Sequence, residues 1–81
     1  DTSVKLKIVA PEKIVLAGKV GSVTVPGTLG VFQILNDHAP IISSLGVGKL
    51  AYQDADGEHT MTISGGFVEV QKNSVSACVE F

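Results

Sequence analysis

The sequence predicts an all-β fold, a flattened antiparallel β-sandwich or barrel of about ten short strands. Three observations predict it. Nine glycines and three prolines in 81 residues leave hardly a ten-residue stretch without a breaker, which starves helices and suits short strands. Apolar residues recur with a period of two, the pattern of a strand with one face buried. Val, Ile and Thr are abundant, and their branched side chains fit a pleated, half-buried surface.

The elements follow in order. Val4, Leu6 and Ile8 alternate with Lys5 and Lys7 in a first strand. Strand 23–25 is closed by Pro26-Gly27. A single turn near 36–39 is the one place for anything helical. Gly46-Val47-Gly48 opens a strand carrying Leu50 and Tyr52. Asp56-Gly57 lies between strands 49–53 and 58–64, and this pair favours a type I′ hairpin in which both residues take positive φ. Within 58–64, Met61 and Ile63 alternate with threonines and Ser64. Lys72-Asn73-Ser74 joins strands 67–71 and 75–81, the latter alternating Val75, Ala77, Val79 and Phe81 with Ser76, Cys78 and Glu80. Such a ladder of one-sided hairpins closes most simply as a sandwich or barrel. No linker or repeat divides the chain, and residues 1–81 read as one domain. The aromatics are Phe32, Tyr52, Phe67 and Phe81, with no Trp, so the core must be Val, Ile and Leu.

Composition excludes several functions. Six dispersed lysines, no arginine and a net charge of −2 do not make the basic face a nucleic-acid binder needs. The lone Cys78 can build neither an internal disulfide nor a cysteine-based zinc site, and it reads as a small filler. No apolar run approaches the ~20 residues of a spanning helix, so direct membrane insertion is not expected. No signal-peptide pattern is visible; the chain opens on Asp1 rather than Met, as a processed or trimmed N-terminus would.

No candidate chemistry survives inspection, and no cofactor or metal is expected. His59 lies on a strand beside the Asp56-Gly57 turn. His38 sits in a loop near Asp37, Ser43 and Ser44, but neither serine occupies a nucleophile elbow. Asp54, Asp56 and Glu58 loosely match a calcium loop, but they lie on a hairpin turn and lack the later bidentate glutamate. Gly27-Thr28-Leu29-Gly30 matches no phosphate-binding motif, and no helix follows it. Gly65-Gly66 inside a strand pattern points to a bulge or to another chain approaching the backbone. The residues alone stop at a small all-β interaction module. A stand-alone sandwich that binds a small ligand or carbohydrate remains an alternative, and a hydrolase using Ser43 or Ser44 with His38 is a third.

Four stretches go further. They are Leu6-Lys7-Ile8-Val9-Ala10-Pro11-Glu12-Lys13, Val23-Thr24-Val25-Pro26-Gly27-Thr28-Leu29-Gly30, His38-Ala39-Pro40-Ile41-Ile42-Ser43-Ser44-Leu45 and Ile63-Ser64-Gly65-Gly66-Phe67-Val68-Glu69-Val70. Together, in this order, they resemble the N-terminal β-sandwich domain of the epsilon subunit of bacterial F-type ATP synthase, called delta in mitochondria. The resemblance covers essentially the whole chain. It implies a non-catalytic central-stalk (rotor) subunit of the F1 sector that binds the gamma subunit and the membrane c-ring. Turning with them, it couples proton flow to ATP synthesis. It implies a peripheral location on the cytoplasmic face of the bacterial inner membrane. For the c-ring side it points to Gly30, Val31, Phe32, Gln33 and His38, with local packing as the rival role for Val31 and Phe32. For the gamma side it points to Ile41, Ile42 and Ser43 and to Ser64, Gly65, Gly66 and Phe67. Relatives often carry acidic residues where Leu29 and Val31 stand, so a contact made there by carboxylate would be apolar here. The family usually continues into a two-helix C-terminal hairpin; this sequence ends at Phe81, where the last strand is expected to finish, and the hairpin is absent from it.

Overall fold

The computed structural model describes residues 3–35 and 39–81. Every regular element among them is a strand: β1 (Val4–Ala10), β2 (Lys13–Val20), β3 (Ser22–Gly27), β4 (Gly30–Ile34), β5 (Ile41–Leu45), β6 (Gly48–Asp54), β7 (Gly57–Ile63), β8 (Gly65–Gln71) and β9 (Ser74–Glu80). The 36–39 turn expected from the sequence, and His38 with it, falls largely outside the described residues.

The pairings form two layers. One runs β2-β1-β9-β8-β5, the other β4-β3-β6-β7. They join at one corner, where Gly27 of β3 pairs with Leu45 of β5. Alternation decides what lies between them. Val4, Leu6 and Ile8 of β1 point inward with Val68 and Val70 of β8 and Val75, Ala77 and Val79 of β9. They meet Val23 and Val25 of β3, Ile34 of β4, Leu50 of β6 and Ile63 of β7 from the other layer. All are buried, and none is aromatic. Each fully buried Val, Leu or Ile contributes about 1.5–3 kcal/mol over leaving it exposed. That burial holds the layers together.

Four local expectations need correction. β1 pairs with β9 in parallel, whereas the other pairs are antiparallel. Hairpin reasoning sees only neighbours in sequence, and this pair joins elements from opposite ends of the chain. The strand at 23–25 does not stop before Pro26-Gly27 but runs through Gly27, with the turn at Thr28-Leu29. Pro26 sits where β3 has left β6, after Thr24, and has not yet reached β5, at Gly27. A missing N–H is tolerated in such a gap.

The β6–β7 turn is Ala55-Asp56 rather than Asp56-Gly57, because Asp54 pairs with Gly57. Of these residues only Gly57 has positive φ. The Asp54 side chain sets this geometry: its Oδ1 accepts the Asp56 N–H at 2.8 Å. Finally, Gly65-Gly66 is not a bulge, since the β8–β9 register is continuous through it. The bulge among the described residues lies between Ile8 and Val9, opposite Val15.

Candidate interaction surfaces

Strand register orders the outer face of the five-stranded layer into rows. The first row is Lys19, Lys5, Ser74 and Gln71. The second is Ala17, Lys7, Ser76, Glu69 and Ile42. The third is Ile14, Val9, Cys78, Phe67 and Ser44. The face is thus cationic and polar at one end and apolar at the other. At the apolar end a groove of about 260 Å³ opens between Val9, Pro11, Phe67 and Cys78. Phe67 is 48% exposed and Ile42 72% exposed.

The gamma-side residues chosen from the sequence therefore separate. Ile42 and Phe67 share this outer face. Ile41 and Ser43 have the opposite parity on β5, Ile41 pairing with buried Val70 but itself remaining exposed at the edge of the core. Ser64 is tied to the end of β9: its N–H donates to the Glu80 carbonyl at 2.7 Å and its hydroxyl to the same oxygen at 3.2 Å. Gly66 has φ +140°, and a Cβ there would run into the Cys78 carbonyl and Val79 of β9. The close approach foreseen at Gly65-Gly66 is thus made by this chain's own β9. Cys78, read from the sequence as a small filler, stands on the outer face. It is half-exposed and lines the groove.

A second surface lies where Thr28-Leu29 and Gly46-Val47 meet. The Thr28 N–H donates to the Ser44 carbonyl at 3.1 Å, and the Gly46 N–H to the Pro26 carbonyl at 2.8 Å. These bonds set the two turns side by side. Leu29 projects fully into solvent, Val31 is 72% exposed and Val47 is 79% exposed. Bare apolar side chains gathered at a tip are the ordinary mark of a contact site. Among the residues assigned to the c-ring side from the sequence, Gly30 starts β4 with φ +135°, and Gln33 is exposed. Phe32 turns back, packing against the core and over Gly27. Val31, by contrast, points away from the core. His38 lies outside the described residues. Val47 escaped sequence reasoning, although an apolar, β-branched residue between two glycines in a turn was a usable signal.

Among the described groups weighed for chemistry, His59, Asp54 and Ser43 are engaged in local contacts. His59 stacks on Tyr52, ring centroids 5.0 Å apart, and its Nε2 lies 3.1 Å from Asp54 Oδ1. The Asp54 carboxyl is held below its usual range, first by the Asp56 N–H and then by His59. The Ser43 hydroxyl donates to the Ser44 carbonyl at 3.2 Å, and the two serines face opposite sides of β5. No group of His, Cys, Asp and Glu able to hold a metal occurs among the described residues, nor does a helix long and apolar enough to cross a membrane.

Fold and surface together define a β-sandwich domain whose prominent exposed features are apolar patches. The model of the "ATP synthase, Delta/Epsilon chain, beta-sandwich domain" family matches residues 3–81. An ATP synthase epsilon chain of Leptospira interrogans is 42% identical over 72 residues, 89% of this chain and 57% of that one. One from Nitratidesulfovibrio vulgaris is 41% identical over 80 residues, 99% of this chain and 60% of that one. The chain belongs to the ATP synthase delta/epsilon family and corresponds to its β-sandwich domain. It spans less than two thirds of the length of these relatives. The same fold occurs in a cryo-EM structure of the Euglena gracilis mitochondrial ATP synthase, OSCP/F1/c-ring, with TM-score 0.91 at 22% identity over 98% of this chain and 51% of that chain. It occurs again in the central stalk/c-ring structure of the Tetrahymena thermophila mitochondrial enzyme, with TM-score 0.81 at 16% identity over 96% of this chain and 63% of that chain.

Proposed function

We propose that this chain works as a rotor-stalk component of a proton-translocating ATP synthase. In this reading residues 1–81 act as one unit without an active site. The outer face around Phe67 and Ile42 meets the gamma subunit, the Leu29, Val31 and Val47 tip meets the c-ring, and the sandwich turns with both, coupling proton flow to ATP synthesis. It sits peripherally, on the cytoplasmic face of a bacterial inner membrane. The observation that carries the reading is identity of about 40% to ATP synthase epsilon chains along 80 residues, which a stand-alone ligand-binding sandwich would have no reason to share. The geometry adds mechanical sense. A torque-bearing part needs stiffness and two contacts that do not slip, and close packing of Val, Leu and Ile between layers supplies the first.

The test is co-purification with the gamma subunit of the same organism. The expected result is a stable complex that Phe67→Asp weakens at least tenfold, because burying a carboxylate without a partner is costly. Failure of the unaltered full-length protein to bind gamma would overturn the reading.

A further inference from the structure

The cationic end of the outer face belongs to neither proposed contact. There, Ser3, Lys5, Lys19, Gln71, Lys72, Asn73 and Ser74 line a cavity of about 370 Å³. Its construction is specific. Lys5 of β1 stands directly opposite Lys19 of β2 in the pairing register and opposite Ser74 of β9 on its other side. The Lys5 N–H donates to the Asn73 carbonyl at 2.8 Å, which fastens the β8–β9 turn to β1. Lys72, at the head of that turn, is the one non-glycine residue with positive φ among the described residues, at +51°.

Like charges directly across a strand pair destabilise a sheet. Here the cost is not offset within the described residues. Among the described residues no carboxylate lines the cavity itself; Glu69 stands beside it, its Oε2 accepting the Gln71 side-chain amide at 3.3 Å, and the ion pair His59–Asp54 lies on other strands. Three lysines lining one concavity, beside the hydroxyl-bearing Ser3 and Ser74, give it the charge that suits a compact, multiply charged anion.

We propose that this cavity is an anion site for a phosphoryl-bearing ligand. A phosphoryl group carries up to two charges on oxygens that each accept hydrogen bonds, and lysine binds it as a point charge. The volume leaves room for more than one phosphate, so a di- or triphosphate, or the headgroup of an anionic phospholipid, fits the same chemistry. The site lies at the opposite end of β8 from the apolar tip, since Gly66 pairs with Leu45 near that tip while Gln71 leads into the Lys72 turn. It does not depend on the stalk reading and survives if that reading fails.

The experiment is a titration of the ¹⁵N-labelled full-length protein with sodium tripolyphosphate at low salt, followed by amide chemical shifts. A parallel arm measures co-sedimentation with phosphatidylglycerol vesicles against phosphatidylcholine vesicles. Saturable shifts confined to the amides around residues 3–5, 19 and 71–74 are expected, weakening as salt screens the charges. In the double variant Lys5→Gln/Lys72→Gln, affinity should fall about tenfold. Both positions are exposed, so the variant should fold normally. Binding to anionic vesicles alone, lost in the same variant, assigns the site to a lipid headgroup; binding to tripolyphosphate alone assigns it to a soluble phosphate. No localised shift at millimolar tripolyphosphate together with no preference for anionic vesicles, or equal binding by the double variant, overturns the proposal.

Discussion

Gly66→Ala is expected to cost more stability than any other single methyl added to this sandwich. Two effects meet at the site. The backbone has φ +140°, a conformation that side-chain-bearing residues rarely adopt. Holding one there costs on the order of 1–3 kcal/mol. The new Cβ would also collide with the Cys78 carbonyl and come within 3.0 Å of Val79 Cα. β9 cannot retreat, because it is paired to β8 along the whole strand and to β1 on its other side. Overpacking of this kind adds on the order of 1–3 kcal/mol, against a total of roughly 4–12 kcal/mol for a chain of this length. Urea unfolding should show a midpoint far below the parent, or no folded baseline. Gly30→Ala is the control: φ is nearly the same, +135°, but nothing lies within 4 Å of the added Cβ. It should lose only the backbone share. Equal losses in the two variants would mean that β9 yields freely at Cys78.

The second large effect is expected in the triple variant Leu29→Asp/Val31→Asp/Val47→Asp. The three side chains already stand in solvent, so folding should change little. If they are the c-ring contact, each loses on the order of 1.5–3 kcal/mol of apolar burial, and carboxylates take their place. Ring binding should then fall by at least about a hundredfold, with ATP hydrolysis uncoupled from proton pumping. Because such a contact would be apolar, binding by the parent should be nearly insensitive to ionic strength. A carboxylate contact would weaken with salt. Wild-type coupling in the triple variant would remove the tip from the mechanism.

Much of the fold was legible because it follows from local alternation. Val4, Leu6 and Ile8, and Val75, Ala77 and Val79, needed nothing but their spacing to be placed in a core. What alternation cannot supply is partnership. The parallel pairing of β1 with β9, the division into two layers and the corner at Gly27 and Leu45 depend on residues far apart in sequence. Turn chemistry misled at Asp56-Gly57 because a side chain, Asp54 Oδ1, captured the Asp56 N–H and moved the turn back one residue. Candidate contact surfaces were legible only as stretches. Ile41-Ile42-Ser43 reads as one patch along the chain, yet strand parity sends Ile42 to one side and its neighbours to the other. The groove wall made by Val9, Pro11 and Cys78 could not be read at all, since three elements build it.

A cryo-EM map of the assembled ATP synthase containing this subunit tests the central claim most directly, because it reads both grips at once. The expected map seats Leu29, Val31 and Val47 on the c-ring and lays Phe67 and Ile42 against gamma. A map in which the Lys72 end meets the ring, or in which Phe67 and Ile42 face open solvent, would contradict it.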